Sequence, residues 1–173
     1  MKESRTKPNR RTWLDWIGLI ARLVTGVVLL VAGWLKIVDL VAMRRAIEAY
    51  QLFPDAIVGV LTYAVPLGEI VLGVLLILGL FTRISAVFSG LLFLGFIAGI
   101  ASAWARGLSL DCGCFGGGGE VDPTQTRYAE EILRDLGLFA LCLWLSLRPR
   151  SPYSVDQWLF AINLPDVQEA DDV

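Results

Sequence analysis

The chain has 173 residues, 55% hydrophobic and 18% charged, with a mean hydropathy of +0.62. Soluble domains carry about 25% charged residues, so the composition points to one membrane domain rather than a soluble enzyme. A net charge of −2 with no basic stripe gives no case for nucleic acid, and three cysteines without a histidine exclude His-based acid–base catalysis, His-ligated haem and a four-ligand zinc site, so no metal is expected.

Residues 1–15 form a basic arm with Lys2, Arg5, Lys7, Arg10 and Arg11. A first apolar run follows from about Trp16 to Ile37. It is too long for a signal-peptide core, contains Arg22 and lacks a small-residue cleavage site, which predicts a retained anchor. Lys36, Asp39 and Trp34 close it, a pattern that snorkelling and aromatic anchoring explain. Between Val38 and Asp55, Leu40, Val41, Ile47, Tyr50 and Phe53 alternate with Arg44, Arg45 and Glu48 at roughly helical spacing. This predicts an amphipathic helix lying on a membrane surface, with a plain polar linker as the alternative.

Further apolar runs extend from about Ala56 to Phe81, Ile84 to Ala105 and Ala129 to Leu147. A transmembrane helix needs about 20 mostly apolar residues, and hydrocarbon leaves a lone segment no other way to satisfy its backbone. The expected fold class is therefore all-α: a four-helix transmembrane bundle over residues 16–148, with an outer-face amphipathic helix and a Cys-Gly-Cys loop. Residues 149–173 form an acidic tail, where Trp158, Leu159, Phe160 and Ile162 are placed to touch the inner interface. With the arm inside, the inner face carries eight Lys and Arg residues and the outer face six, counting Lys36, Arg44, Arg45, Arg106, Arg127 and Arg134. The first helix dominates orientation. Both termini are thus expected in the cytoplasm, with the segment from Arg106 to about Tyr128 outside.

That outer segment holds Asp111-Cys112-Gly113-Cys114-Phe115-Gly116-Gly117-Gly118-Gly119. Two thiols separated by one glycine close a small ring whose constraints resist the preferred disulfide torsion, and strained disulfides are the labile, exchanging ones. The glycines let the loop bend sharply or admit a partner's backbone. Cys112 and Cys114 are therefore candidate catalytic residues of thiol–disulfide exchange, against a static bridge or incidental thiols. Asp111 disfavours a thiolate beside it, an effect Arg106 offsets if the loop folds back. Cys142, in the last run, fits a small buried apolar residue.

Glu69 stands halfway along the second run, after Pro66 and Gly68. Intramembrane ionisable groups are expensive and usually paired. Measured from the inner end of its helix, Glu69 lies at roughly 18 Å, Arg134 at roughly 20 Å and Arg22 at roughly 9 Å, making Arg134 and Arg22 its expected partners. A pair that fixes helix register, a proton or quinone-headgroup site, and a protonated Glu69 are the alternatives. On the quinone reading, Glu69, Arg134 and Arg106 are the candidate cofactor-binding residues. Gly95 and Gly99 form a Gly-x-x-x-Gly pair suited to close helix packing within the chain or in a dimer.

The chain resembles the DoxX-like membrane proteins and, more closely, their methylamine-utilisation MauE branch. The resemblance rests on Ala32-Gly33-Trp34-Leu35-Lys36-Ile37-Val38-Asp39, Pro66-x-x-Glu69-x-x-x-Gly73, Asp111-Cys112-Gly113-Cys114-Phe115-Gly116 and Glu131-Ile132-Leu133-Arg134-Asp135, and covers about residues 12–150. It implies a four-helix protein of the bacterial inner membrane that supports disulfide formation in, or maturation of, an exported enzyme. The implied partner is a thioredoxin-like or other exported thiol protein, with Cys112 and Cys114 as the redox pair. It does not imply the methylamine pathway itself. The logic is similar to that of four-helix oxidoreductases that pass electrons from thiols to quinone. Those use two cysteine pairs, whereas one pair lies outside here, so turnover by the chain alone requires that pair to do both jobs or a partner to supply the second. The rival readings are a non-catalytic subunit of a respiratory or oxidoreductase membrane complex, and a solute- or lipid-binding protein built around Glu69.

Overall fold

The computed structural model describes residues 10–114, 117–122, 124 and 126–148. Most of the expected basic arm and the whole acidic tail with Trp158 lie outside the described residues, as do Phe115 and Gly116. Five helices and one short ribbon are described: α1 (Arg10–Val38), α2 (Leu40–Ala49), α3 (Asp55–Leu78), α4 (Thr82–Ala105), β1 (Leu110–Asp111), β2 (Gly119–Glu120) and α5 (Tyr128–Leu147).

Three helices are long and apolar enough to cross a membrane: Asp15–Val38 of α1, all of α3 and all of α4. Their exposed faces are apolar, with Val27, Val31, Val60, Val71, Phe88 and Leu91 all uncovered by protein. Polar residues such as Arg22, Thr25, Lys36, Glu69 and Ser89 lie inside instead. Such inversion fits a lipid solvent, and the protein is a membrane protein.

The expected fourth span differs. Glu130, Glu131, Arg134 and Asp135 occupy the first two turns of α5. The uncharged remainder, Leu136–Leu147, rises only about 18 Å, short of a hydrocarbon core of about 30 Å. By length and composition alone, the helices marked as membrane spans are therefore α1, α3 and α4, and α5 is not among them.

Small residues set the helix contacts. A Cβ on Gly33 would lie 2.7 Å from the Pro66 carbonyl oxygen, and one on Gly73 would lie 2.8 Å from the Gly26 carbonyl oxygen. α1 and α3 therefore run antiparallel with their backbones in near contact, as small residues permit. α4 packs chiefly on α5, and α1 joins the two pairs by touching α5. A core of Ala21, Leu29, Leu76, Phe93, Leu138 and Leu145 fills the centre. The Gly95 and Gly99 pair takes no part in this packing: a Cβ on Gly95 would meet nothing within 4 Å, and one on Gly99 would meet only the Tyr50 ring.

Helix ends follow local chemistry. Asp39 caps α2 by accepting from the Ala42 N–H at 2.8 Å, the side-chain cap that orphan amides favour. α3 stops at Gly79, whose φ of 68° closes a left-handed cap with Leu80 N–H bonded to the Leu75 carbonyl at 2.9 Å. α2 is amphipathic, although its inward face is Ala42, Met43 and Ala46 while Val41 is exposed. The expected apolar face was centred about one residue away, because helix periodicity alone does not say which edge of an apolar stripe meets protein.

Candidate functional site

β1 and β2 pair antiparallel, Leu110 opposite Glu120 and Asp111 opposite Gly119, so Cys112, Gly113, Cys114, Gly117 and Gly118 lie in the loop between them. Cys112 and Cys114 are joined in a disulfide within that loop. Cys114 is buried, whereas Cys112 is only half-buried.

Several tethers hold the loop over one end of the helices. The Tyr128 hydroxyl donates to the Leu108 carbonyl at 2.5 Å and accepts from the Leu110 N–H at 2.7 Å. The Glu131 carboxylate accepts from the Cys112 N–H. Tyr50 donates to the Cys112 carbonyl at 3.4 Å, and burial, followed by the nearby Glu131 charge, pushes its phenol pKa upward so that it stays protonated. Asp111 accepts from the Gly113 N–H at 3.1 Å. Gly113 and Gly118 have φ of 66° and 94°. A Cβ on Gly118 would lie 2.7 Å from the Gly113 Cα and 2.8 Å from the Ala46 Cβ. Glycine is needed there both for backbone conformation and for the approach of α2.

Below the loop lies a cluster of four charges. Lys36 bonds Glu69 in a buried ion pair, with side chains 3% and 1% exposed. Arg134 donates from Nε to Asp135 at 2.9 Å, and its terminal Nη2 reaches the Cys112 sulfur at 3.9 Å. Lys36 also interacts electrostatically with Asp135 and Arg134. Lys36 offsets Glu69 and Arg134 offsets Asp135, as low-dielectric burial demands.

This arrangement corrects the expected partner of Glu69. Neither Arg134 nor Arg22 takes it; Lys36 does, and Lys36 points inward rather than snorkelling out. The close Gly33–Pro66 approach brings α1 against α3 at that level, so the long lysine side chain reaches the carboxylate. Arg106 also falls elsewhere: it donates to the Tyr50 carbonyl at 2.5 Å and the Ser102 carbonyl at 3.2 Å. It ties α4 to the end of α2, and Arg134 is the cation at the sulfur. Cys142 is buried in the apolar core, as expected.

Sequence reasoning missed the Tyr128 clamp, the Glu131 contact and the pairing of Lys36. One signal was readable: Glu131, Arg134 and Asp135 stand at helical spacings of three and four, which places them on one face. Asp111, Glu131 and Cys112 also gather three potential metal-ligand atoms within 4.8 Å of one another, but the Cys112 sulfur is committed to the disulfide.

A cavity of about 520 Å³ opens beside the loop, between α2, α3 and α4. Cys112 and Cys114 line one part of it, Lys36 another, and Tyr50, Phe53 and Phe96 supply aromatic walls. Lys36 Nζ sits 4.7 Å from the Phe96 ring centroid, within cation–π range.

The fold and loop thus define a helical membrane protein that carries a tethered disulfide at one end of its helices. The chain belongs to the family described as methylamine utilisation protein MauE, whose family model matches residues 14–148. No curated protein and no solved structure matches it.

Proposed function

We propose that this protein is a membrane thiol–disulfide redox accessory, with Cys112 and Cys114 exchanging disulfides with an exported thiol protein at the outer face of the bacterial cytoplasmic membrane. The observation that carries this reading is the pairing of Cys112 and Cys114 in a loop held beside a buried charge cluster. The family's description supports an accessory role in a methylamine utilisation-type system.

In this reading α5 completes a four-helix membrane unit, its charged first turns lying under the loop. α2 rests on the outer surface and both termini are cytoplasmic. The partner is a thioredoxin-like or similar exported dithiol. Its thiolate attacks Cys112, the more exposed sulfur, forming a mixed disulfide and releasing Cys114 as a thiolate. The partner's second thiol then attacks the mixed disulfide and releases Cys112. The partner gains a disulfide, the loop becomes a dithiol, and two electrons and two protons pass from partner to loop. Arg134 stands where it stabilises negative charge on Cys112 as that sulfur leaves.

The test is a trapping experiment in cells. In Cys114→Ala, Cys112 is a lone thiol that attacks the disulfide of the oxidised partner and releases one partner thiolate. With no Cys114 to resolve it, the mixed disulfide accumulates and disappears on reduction. Cys112→Ala should trap at least tenfold less. Absence of any trapped species from both variants, with normal membrane levels, refutes exchange and leaves a static bridge in a non-catalytic subunit of a membrane complex.

A further inference from the structure

An exchanging pair that repeatedly takes two electrons must hand them on. Among the described residues no second cysteine pair lies near it: Cys142 is buried in the apolar core. The cavity beside the loop offers another route. Its volume of about 520 Å³ is in the range of small-molecule sites, about 300–1,000 Å³. Its walls are mostly apolar and aromatic; the polar side chains among them are Lys36, Tyr50 and Ser102, and the cysteine pair closes one part.

The cavity also opens sideways. Leu91, Gly95 and Ala98 line it from α4 and are exposed on the face that α4 turns to lipid. With no side chain at Gly95, and open space where its Cβ would stand, the mouth is wide at the depth of an apolar helix. A ligand therefore enters from the bilayer rather than from water. An ammonium carries three N–H donors, and Glu69 takes one, so Lys36 retains donors for a carbonyl oxygen.

We infer that this cavity binds a lipid-soluble quinone, which reoxidises the Cys112–Cys114 dithiol; the inference rests on the exchange reading above. The two thiols lose two electrons and two protons and form the sulfur–sulfur bond. The quinone's two carbonyl oxygens take up those electrons and protons, giving the hydroquinone. A plain acyl chain would fill the apolar walls equally well but gives the ammonium no acceptor and the dithiol no oxidant.

The test reads binding, so it stands apart from turnover. The full chain is placed in lipid nanodiscs and photolabelled with an azido-ubiquinone analogue, with decylubiquinone or 1-octadecene as competitor. Four proteins are compared: wild type, Cys112→Ser/Cys114→Ser, Gly95→Phe and Gly59→Phe. Gly59 has open space around it and lies outside the cavity lining, so its variant controls for added bulk. Labelling should map to α2 or α4 residues of the cavity, saturate, and yield to decylubiquinone but not 1-octadecene. It should persist in the double serine variant, fall at least tenfold in Gly95→Phe and stay unchanged in Gly59→Phe. Labelling that does not saturate, that 1-octadecene displaces equally, or that Gly95→Phe leaves intact overturns the inference. Because the double serine variant cannot exchange disulfides, loss of labelling there and failure of the trapping experiment are separate results.

Discussion

Breaking the Lys36–Glu69 pair should be among the most damaging single changes in this protein. Both side chains are almost wholly buried, at 3% and 1% exposure, and a Cβ at Gly33 would already crowd Glu69 at 3.0 Å, so the α1–α3 side of the pair is closed. Glu69→Gln leaves the Lys36 ammonium buried with one neutral partner, and Lys36→Met leaves the Glu69 carboxylate without its cation. Removing one member of a buried pair costs about 3–5 kcal/mol. Taking about 3 kcal/mol, the folding equilibrium shifts by a factor on the order of 150. At about 2–4 °C per kcal/mol for a chain of this size, the midpoint falls by about 6–12 °C. Lys36→Met/Glu69→Gln removes both charges, and its loss should be smaller than the sum of the two singles by about 2 kcal/mol, within the range for contacting residues. The assay is thermal unfolding in one detergent, followed by tryptophan fluorescence for the four proteins of the cycle. Single variants within 1 °C of wild type, or strictly additive losses, would refute the paired, buried assignment.

Other consequences follow from close contacts. Gly33→Ala should destabilise by about 1–3 kcal/mol through overpacking, because its methyl meets the Pro66 carbonyl at 2.7 Å; Gly68→Ala, with open space around it, should be neutral or slightly stabilising in the same unfolding assay. Tyr128→Phe removes a hydroxyl bonded to Leu108 and Leu110. That leaves a buried amide unpaired at a cost of about 1–3 kcal/mol, and hydrogen exchange at Leu110 should quicken at least tenfold while α1 and α3 stay protected. Gly118→Ala, at a φ of 94° and in contact with Gly113 and Ala46, should displace the loop from α2. Limited proteolysis between Ser109 and Tyr128 should then accelerate with little change in helix content.

The long helices were legible because lipid exposure writes itself as uninterrupted apolar sequence. The expected runs 16–37, 56–81 and 84–105 lie close to α1, α3 and α4. α1 begins earlier, at Arg10, since a helix does not need apolar residues to continue. α3 ends earlier, because Gly79 takes the left-handed cap, a signal obscured within an apolar stretch. The cysteine loop was legible as a motif, but not its tethers, which come from Tyr50, Tyr128 and Glu131 at sequence distances no local pattern encodes. Lys36 was misassigned for a physical reason. Position along a helix predicts depth only when backbone spacing is known, and that spacing is set by Gly33 against Pro66.

The most direct test of the account is the redox state and sidedness of Cys112 and Cys114. Intact cells carrying the Cys142→Ala variant are treated with a membrane-impermeant maleimide, with and without prior reduction, and the mass of the protein is read. The account predicts no labelling before reduction and two added maleimides after it. Labelling without reduction contradicts the disulfide, and no labelling after reduction contradicts a loop that meets the outside.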